Sequence, residues 1–244
     1  MESKMEGAKK RTGLVVALVL CVALAAAGGV MAWYNAQSQL TNTFSTGNIK
    51  PPTTDPDTGG PIDPQHPTDP QVPNLNGNIY EKNWVDKSVI TPGSVVPKDP
   101  NIGLAPESDD AYVFVYVKNN LGTGTTFEID AANWKPVDGH VADDANAGDN
   151  VYTGGLFMYT KGGSEPALLV SDKTAKDAGG KDVWTDPLFK EVAAADNANI
   201  NGNGTIVVSA YMAAASNADE NFAAADAKAA AIEWAKHPNG PTVK

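Results

Sequence analysis

The chain has 244 residues, 29 acidic against 18 basic side chains, a net charge of −11 and a single cysteine. That charge excludes a nucleic-acid binder, which needs cations to displace phosphate counterions, and one cysteine excludes an internal disulfide framework. With 42% hydrophobic and 19% charged residues, the chain as a whole is not a disordered polymer.

In chain order, residues 1–11 carry Lys4, Lys9, Lys10 and Arg11, and residues 14–32 then run uncharged through LVVALVLCVALAAAGGVMA. A basic start, an apolar run and a small-residue exit describe a secretory signal peptide, 1–32, cut between Ala32 and Trp33. The run is also long enough to cross a bilayer, so an uncleaved membrane anchor is the competing reading. Cys21 lies inside it, which leaves a mature chain without cysteine and with a charge of −13.

Residues 33–49 form a polar arm with extended propensity, in which Leu40 and Phe44 share one strand face. Residues 50–74 hold eight prolines among Thr, Asp and Gly. This composition reads as an extended linker that separates the arm from everything after it.

Residues 75–244 read as an all-β domain, an antiparallel sandwich. Its strongest strand, 110–118, places Tyr112, Phe114 and Tyr116 on one face and Val113, Val115 and Val117 on the other, so both faces are apolar. Further strands are expected at 87–90, 125–129, 156–160, 167–170 and 204–213, with turns at Gly122, Gly154-Gly155, Gly162-Gly163, Gly179-Gly180 and Asn201-Gly202. A short helical stretch is expected at 190–195. An Ala-rich helix is expected at 222–236, with Phe222, Ala225, Ala229 and Ile232 on its apolar face and Asn217 with Glu220 as a capping box.

Chemistry-bearing residues are sparse. The histidines are His66, His140 and His237, and none belongs to an H-E-x-x-H pair. No nucleophile elbow is present. Asp138, Asp143, Asp144, Asn146, Asp149 and Asn150 place hard oxygen ligands on one loop, a calcium pattern whose glycine is misplaced for an EF-hand. Asn197-x-Asn199-x-Asn201-Gly202 has the spacing but lacks the first acid and the closing Glu. Ordinary Asx-turn loops are the bland reading of both. No catalytic residue and no required cofactor emerges, with calcium the candidate ligand at Asp143, Asp144, Asn146 and Asp149.

The stretch Asn42-Thr43-Phe44-Ser45-Thr46-Gly47-Asn48-Ile49, following an aromatic-containing start after the cut, resembles the TasA and camelysin family of Gram-positive secreted proteins. Similar in order and spacing are T-P-G…K-D-P at 91–100, S-D-D-A-Y-V at 108–113, P-L-F at 187–189 and S-A-Y-M-A at 209–213 before the helix with Trp234. The proline-rich stretch departs from the family, and Gly77-Asn78-Ile79 repeats Gly47-Asn48-Ile49 after it. The C-terminus carries no sorting motif. The resemblance implies a jelly-roll-like sandwich, export by a dedicated signal peptidase, and fibres of the extracellular biofilm matrix. It further implies that Leu40, Asn42, Phe44, Thr46 and Ile49 form a donor strand inserted into a neighbouring copy, with a minor anchoring protein as a further partner. Pairing of the arm within its own domain is the competing arrangement. A membrane-tethered surface or adhesion module and a camelysin-like metalloprotease are the alternative functions.

Overall fold

The computed structural model describes residues 37–44, 48–62, 74–76, 78–83, 88–143, 149–202, 204–215 and 223–236, with backbone alone for 37–44, 74–76 and 143. The expected signal segment 1–32, its Ala32–Trp33 junction and Thr46 lie outside these residues.

The chain folds as an all-β, curled antiparallel sandwich with one C-terminal helix. In order, the strands are β1 (Gln37–Phe44), β2 (Asn74–Asn76), β3 (Ile79–Glu81), β4 (Val95–Pro97), β5 (Pro100–Leu104), β6 (Ala111–Asn119) and β7 (Gly122–Glu128). They continue as β8 (Trp134–Asp143), β9 (Val151–Tyr159), β10 (Leu168–Leu169), β11 (Val183–Trp184), β12 (Glu191–Ile200) and β13 (Thr205–Ala214), and the helix is α1 (Ala224–Ala235). A 3-10 turn at Lys176–Ala178 is a small helical insertion. One sheet runs β1-β13-β6-β9-β7-β12-β4, with β10 beside β6 and β8 beside β9; the second runs β11-β5-β3-β2. Among the described residues, no helix is long and apolar enough to cross a membrane.

The two-faced pattern of β6 explains how the layers stack. Val113, Val115 and Val117 enter the main core with Phe127, Trp134, Phe157, Phe189, Ile206 and Val208. Phe114 enters a second core with Leu156, Met158 and Tyr211, closed by Ala227, Ala231 and Trp234 of α1. A strand apolar on both sides can bury both only if something covers the outer face, and α1 does so. Its buried face differs from the expected one: Ala225 and Ala229 are exposed and Ile232 is half-buried. Trp234 sets the rotation by stacking on Tyr211 at 5.5 Å and 27°; in an Ala-rich helix one large ring outweighs the alanine stripes. Phe222, Asn217 and Glu220 lie outside the described residues, and the first helical residue follows Ala223 without a side-chain cap.

Three further expectations are corrected. Residues 190–195 are not helical, because β12 occupies Glu191–Ile200 between β7 and β4. Residues 88–90 form no strand. Gly154-Gly155 is not a turn but lies inside β9. Gly155 has φ 127°, and a Cβ there would sit 2.4 Å from Val141 Cα of β8. The glycine admits a close backbone crossing, one of the uses of glycine within strands.

Candidate functional site

The sequence Thr205-Ile-Val-Val-Ser-Ala-Tyr-Met-Ala-Ala214 is rich in β-branched and apolar residues, and β13 is buried along nearly its whole length. Ile206, Val208, Ala210 and Met212 enter the main core, while Tyr211 and Ala213 enter the core beneath α1. One edge of β13 pairs with β6 in antiparallel register from Ile206–Asn119 to Ala214–Ala111. An apolar strand with its other edge open would present a row of unpaired N–H and C=O groups, a template for another chain.

The arm covers that edge. β1 runs parallel to β13 over eight registered pairs, from Gln37–Thr205 to Phe44–Met212. Leu40 lies opposite Val208, Asn42 opposite Ala210 and Phe44 opposite Met212. Among the described residues this is the sole parallel pairing of the fold. The arm therefore pairs with its own domain. Of the expected donor residues, Leu40, Asn42 and Phe44 are on the strand, and Ile49 packs half-buried against the main core.

A backbone clip follows the arm at once. The Asn48 N–H donates to Asp109 Oδ2 at 2.8 Å, and the Asp109 N–H donates back to Asn48 O at 2.8 Å. Asn48 Nδ2 donates to Glu107 O at 3.1 Å, the Lys50 N–H to Ser108 Oγ at 3.1 Å, and the Ala105 N–H to Lys50 O at 3.0 Å. The second G-N-I copy continues the same line. Asn78, fully buried, donates through Nδ2 to Gly103 O at 2.6 Å and to Lys50 O at 3.1 Å, and its carbonyl accepts from the Gly103 N–H at 2.9 Å. The two copies thus meet at the end of β5, where Lys50 O accepts from both the Ala105 N–H and Asn78 Nδ2, and the insertion between them is an excursion from that point.

The first half of the excursion differs from the extended tether expected at 50–74. Residues 51–62 form a small strap against the domain. Thr54 bridges Pro61 as in a hairpin. The Thr53 and Thr54 N–H groups and the Thr54 hydroxyl all donate to Asp182 Oδ2 at 2.7 Å. Asp55 Oδ1 accepts from the Asp57 and Thr58 N–H groups at 2.8 and 2.9 Å, an Asx turn. The strap comes after the clip, so it does not lengthen the leash of the arm; residues 63–73 lie outside the described residues.

Asp55 gives the strap a pH dependence. Burial pushes its carboxyl up, but the Tyr80 hydroxyl (2.7 Å), the Thr58 and Asp57 N–H groups and the Lys82 charge outweigh it and hold the pKa below the ordinary 3.8. Burial and the facing Asp55 push the Tyr80 hydroxyl up in turn. A carboxyl depressed in the folded state contributes stability above its unfolded pKa, and that contribution is lost as pH falls through the folded value. Hydrogen-exchange protection of the Asp57 and Thr58 amides is therefore expected to fall in acid below 3.8, ahead of the amides of β6. In Asp55→Asn it is expected to be low and flat across the same range.

Of the calcium candidates Asp143, Asp144, Asn146 and Asp149, only Asp149 has a described side chain. Asp144 and Asn146 lie outside the described residues, Asp143 ends β8, and Asp149 is in an exposed turn. Asp138 falls within β8 rather than in a loop. Asn197 and Asn199 lie in β12, and Asn201 Nδ2 is committed to Asn120 O at 2.9 Å, which corrects the second calcium pattern. Among the described residues no group of three or more His, Cys, Asp or Glu side chains could hold a metal ion. His140 is on β8 and lines an open recess of about 670 Å³ with Lys118, Asn119 and Thr123; His66 and His237 lie outside the described residues. The chain matches no family model, no curated protein and no solved structure.

Proposed function

We propose that this chain is a secreted, non-catalytic structural subunit of the TasA and camelysin type, which joins to further copies by exchanging its arm strand. The observation that supports this reading is β1 itself: the first of the described strands, held in an eight-residue register along an edge of the buried β13 that no other described strand covers. Strand addition of this kind draws its affinity from backbone hydrogen bonds, so the equivalent arm of a second copy meets the same edge in the same register. An arm swapped onto the next copy leaves the first edge free for another arm. Such a contact is heterologous and propagates as a filament unless rotation closes it.

The test compares a chain beginning at Trp33 with one beginning at Asn48, by electron microscopy and light scattering across a concentration series. Fibres are expected from the first. The second is expected to give none, and an added peptide of residues 33–47 is expected to bind it. Equal fibre yield from both, or monomers alone from the first, would sink the proposal.

A further inference from the structure

The connection between β4 and β5 carries a lysine sealed from solvent. The side chains of Lys98 and of Glu81 on β3 are both 0% exposed, and Lys98 Nζ lies 2.5 Å from Glu81 Oε1. Taking an ammonium and a carboxylate out of water costs several kcal/mol for each ion, which mutual attraction repays only in part. Passing the proton from nitrogen to oxygen removes both charges, and burial disfavours charged forms. One proton passed across the 2.5 Å contact turns the ion pair into an amine beside a carboxyl group. Those are the nucleophile and the electrophile of an amide condensation.

Both partners are fixed by backbone. Glu81 is in register with Pro100 across β3 and β5, and the Lys98 N–H donates to Lys190 O at 3.0 Å. Reacting groups held in contact gain the large effective concentration of an intramolecular reaction. Asp99, the next residue, is 8% exposed and accepts from the Asn83 N–H and Nδ2 at 2.8 and 2.6 Å. Burial pushes its carboxyl up, Glu81 adds to this, and the Asn83 bonds and Lys98 pull it down. It is thus a buried carboxyl able to take and return a proton.

We propose that Lys98 and Glu81 condense, once the chain has folded, into an intramolecular isopeptide bond. The Nζ lone pair attacks Glu81 Cδ, and the carbonyl π electrons move to oxygen. Nitrogen gives up one proton, and the carboxyl hydroxyl gains one and departs as water. The carbonyl re-forms, leaving a secondary amide with one N–H. Asp99 is assigned the relay of that proton. No oxidant, reductant or cofactor enters the balance. The bond ties β3 of the small sheet to the end of β4 in the large one, so it locks the two sheets together. It does not depend on arm exchange.

The test is the mass of the purified full chain under denaturing conditions, with both termini fixed by peptide sequencing. The wild type is expected about 18 Da below its sequence mass, one water lost on acylation of the lysine amine. Fragmentation is expected to place the loss on a branched peptide that joins the segments holding Glu81 and Lys98. Lys98→Arg is expected at its full sequence mass. Asp99→Asn is expected to form the bond more slowly after refolding, and an unchanged rate would remove Asp99 from the relay. A wild-type chain at full sequence mass, or a water loss mapped elsewhere, overturns the proposal whether or not the variants fold.

Discussion

Truncation of Phe127 to alanine is expected to lower the unfolding free energy by about 3–5 kcal/mol, the range for deleting a fully buried aromatic ring. Phe127 is 1% exposed and sits in a chain of four rings. Its centroid is 4.5 Å from Phe189 and 5.7 Å from Phe157, and Phe157 is 5.1 Å from Tyr152. The rings come from β7, β9 and the bridge at Ile129–Phe189. The ring therefore holds together segments distant in sequence, and the hole left by alanine is lined by rigid strands that cannot close over it. Val170, 53% exposed, is the contrast: its alanine variant should fall within about 0.5 kcal/mol of wild type, as surface changes do. Guanidinium unfolding measures both, read as a midpoint shift at constant slope. A loss under about 1 kcal/mol at Phe127 would mean that this cluster does not hold the sandwich together.

How far this architecture is legible in the sequence depends on whether a residue pattern has one structural meaning. The alternation of Val113, Val115 and Val117 against Tyr112, Phe114 and Tyr116 has one, and both faces of β6 are used as it predicts. Runs of alanine have several. In α1 they leave the buried face undetermined until Trp234 is placed on Tyr211. In Ala193-Ala194-Ala195 they suggest a helix, although the segment is a strand. There Val192, Ala194 and Ala198 are buried in β12, and a Cβ on Gly124 would lie 3.1 Å from Ala198 Cα. Small residues are what so close a strand pair requires, and tertiary packing overrides helix propensity. Pro136 and Gly139 hide β8 in the same way. It is an edge strand with a register shift between Pro136 and Val141, the setting in which proline and a bulge are tolerated.

The candidate site was legible in part. Extended propensity in the arm is correctly read, and the register partner is not, since nothing local in 37–44 names Val208 or Met212. In the insertion, counting prolines obscures a stronger local signal. Thr54-Asp55-Pro56-Asp57-Thr58-Gly59-Gly60 is turn chemistry, and it is this run, not polyproline geometry, that forms the strap. The repeated G-N-I carries the most information: Asn78 hydrogen-bonds to Gly103 of β5 and Asn48 to Glu107 and Asp109 just beyond its end, so the excursion leaves and returns at neighbouring points.

Breaking the clip is expected to change assembly more than it changes the fold. The arm reaches its own edge from Asn48 across residues 45–47, a leash of at most about 14 Å for four extended steps. So short a leash gives the arm a local concentration at its own edge in the millimolar range or above, and a second copy at micromolar concentration competes poorly. The clip is therefore the element that favours pairing within the chain. The Asp109 carboxylate accepts the Asn48 N–H at 2.8 Å, and a hydrogen bond to a charged group contributes about 1.5–3 kcal/mol, at the low end where solvent reaches it. In Asp109→Ala the arm swings from a more distant anchor. The concentration needed for half-maximal assembly is expected to fall about tenfold, the equivalent of about 1.4 kcal/mol. Light scattering against concentration measures it, with Glu107→Ala as control. That change removes an exposed ion pair of 3.9 Å with Lys50, worth about 0–1 kcal/mol, and leaves the Glu107 carbonyl in place for Asn48 Nδ2. An unchanged midpoint in Asp109→Ala, with β6 still protected in hydrogen exchange, would show that the leash does not gate exchange. The arm would then be a closing strand of its own sandwich.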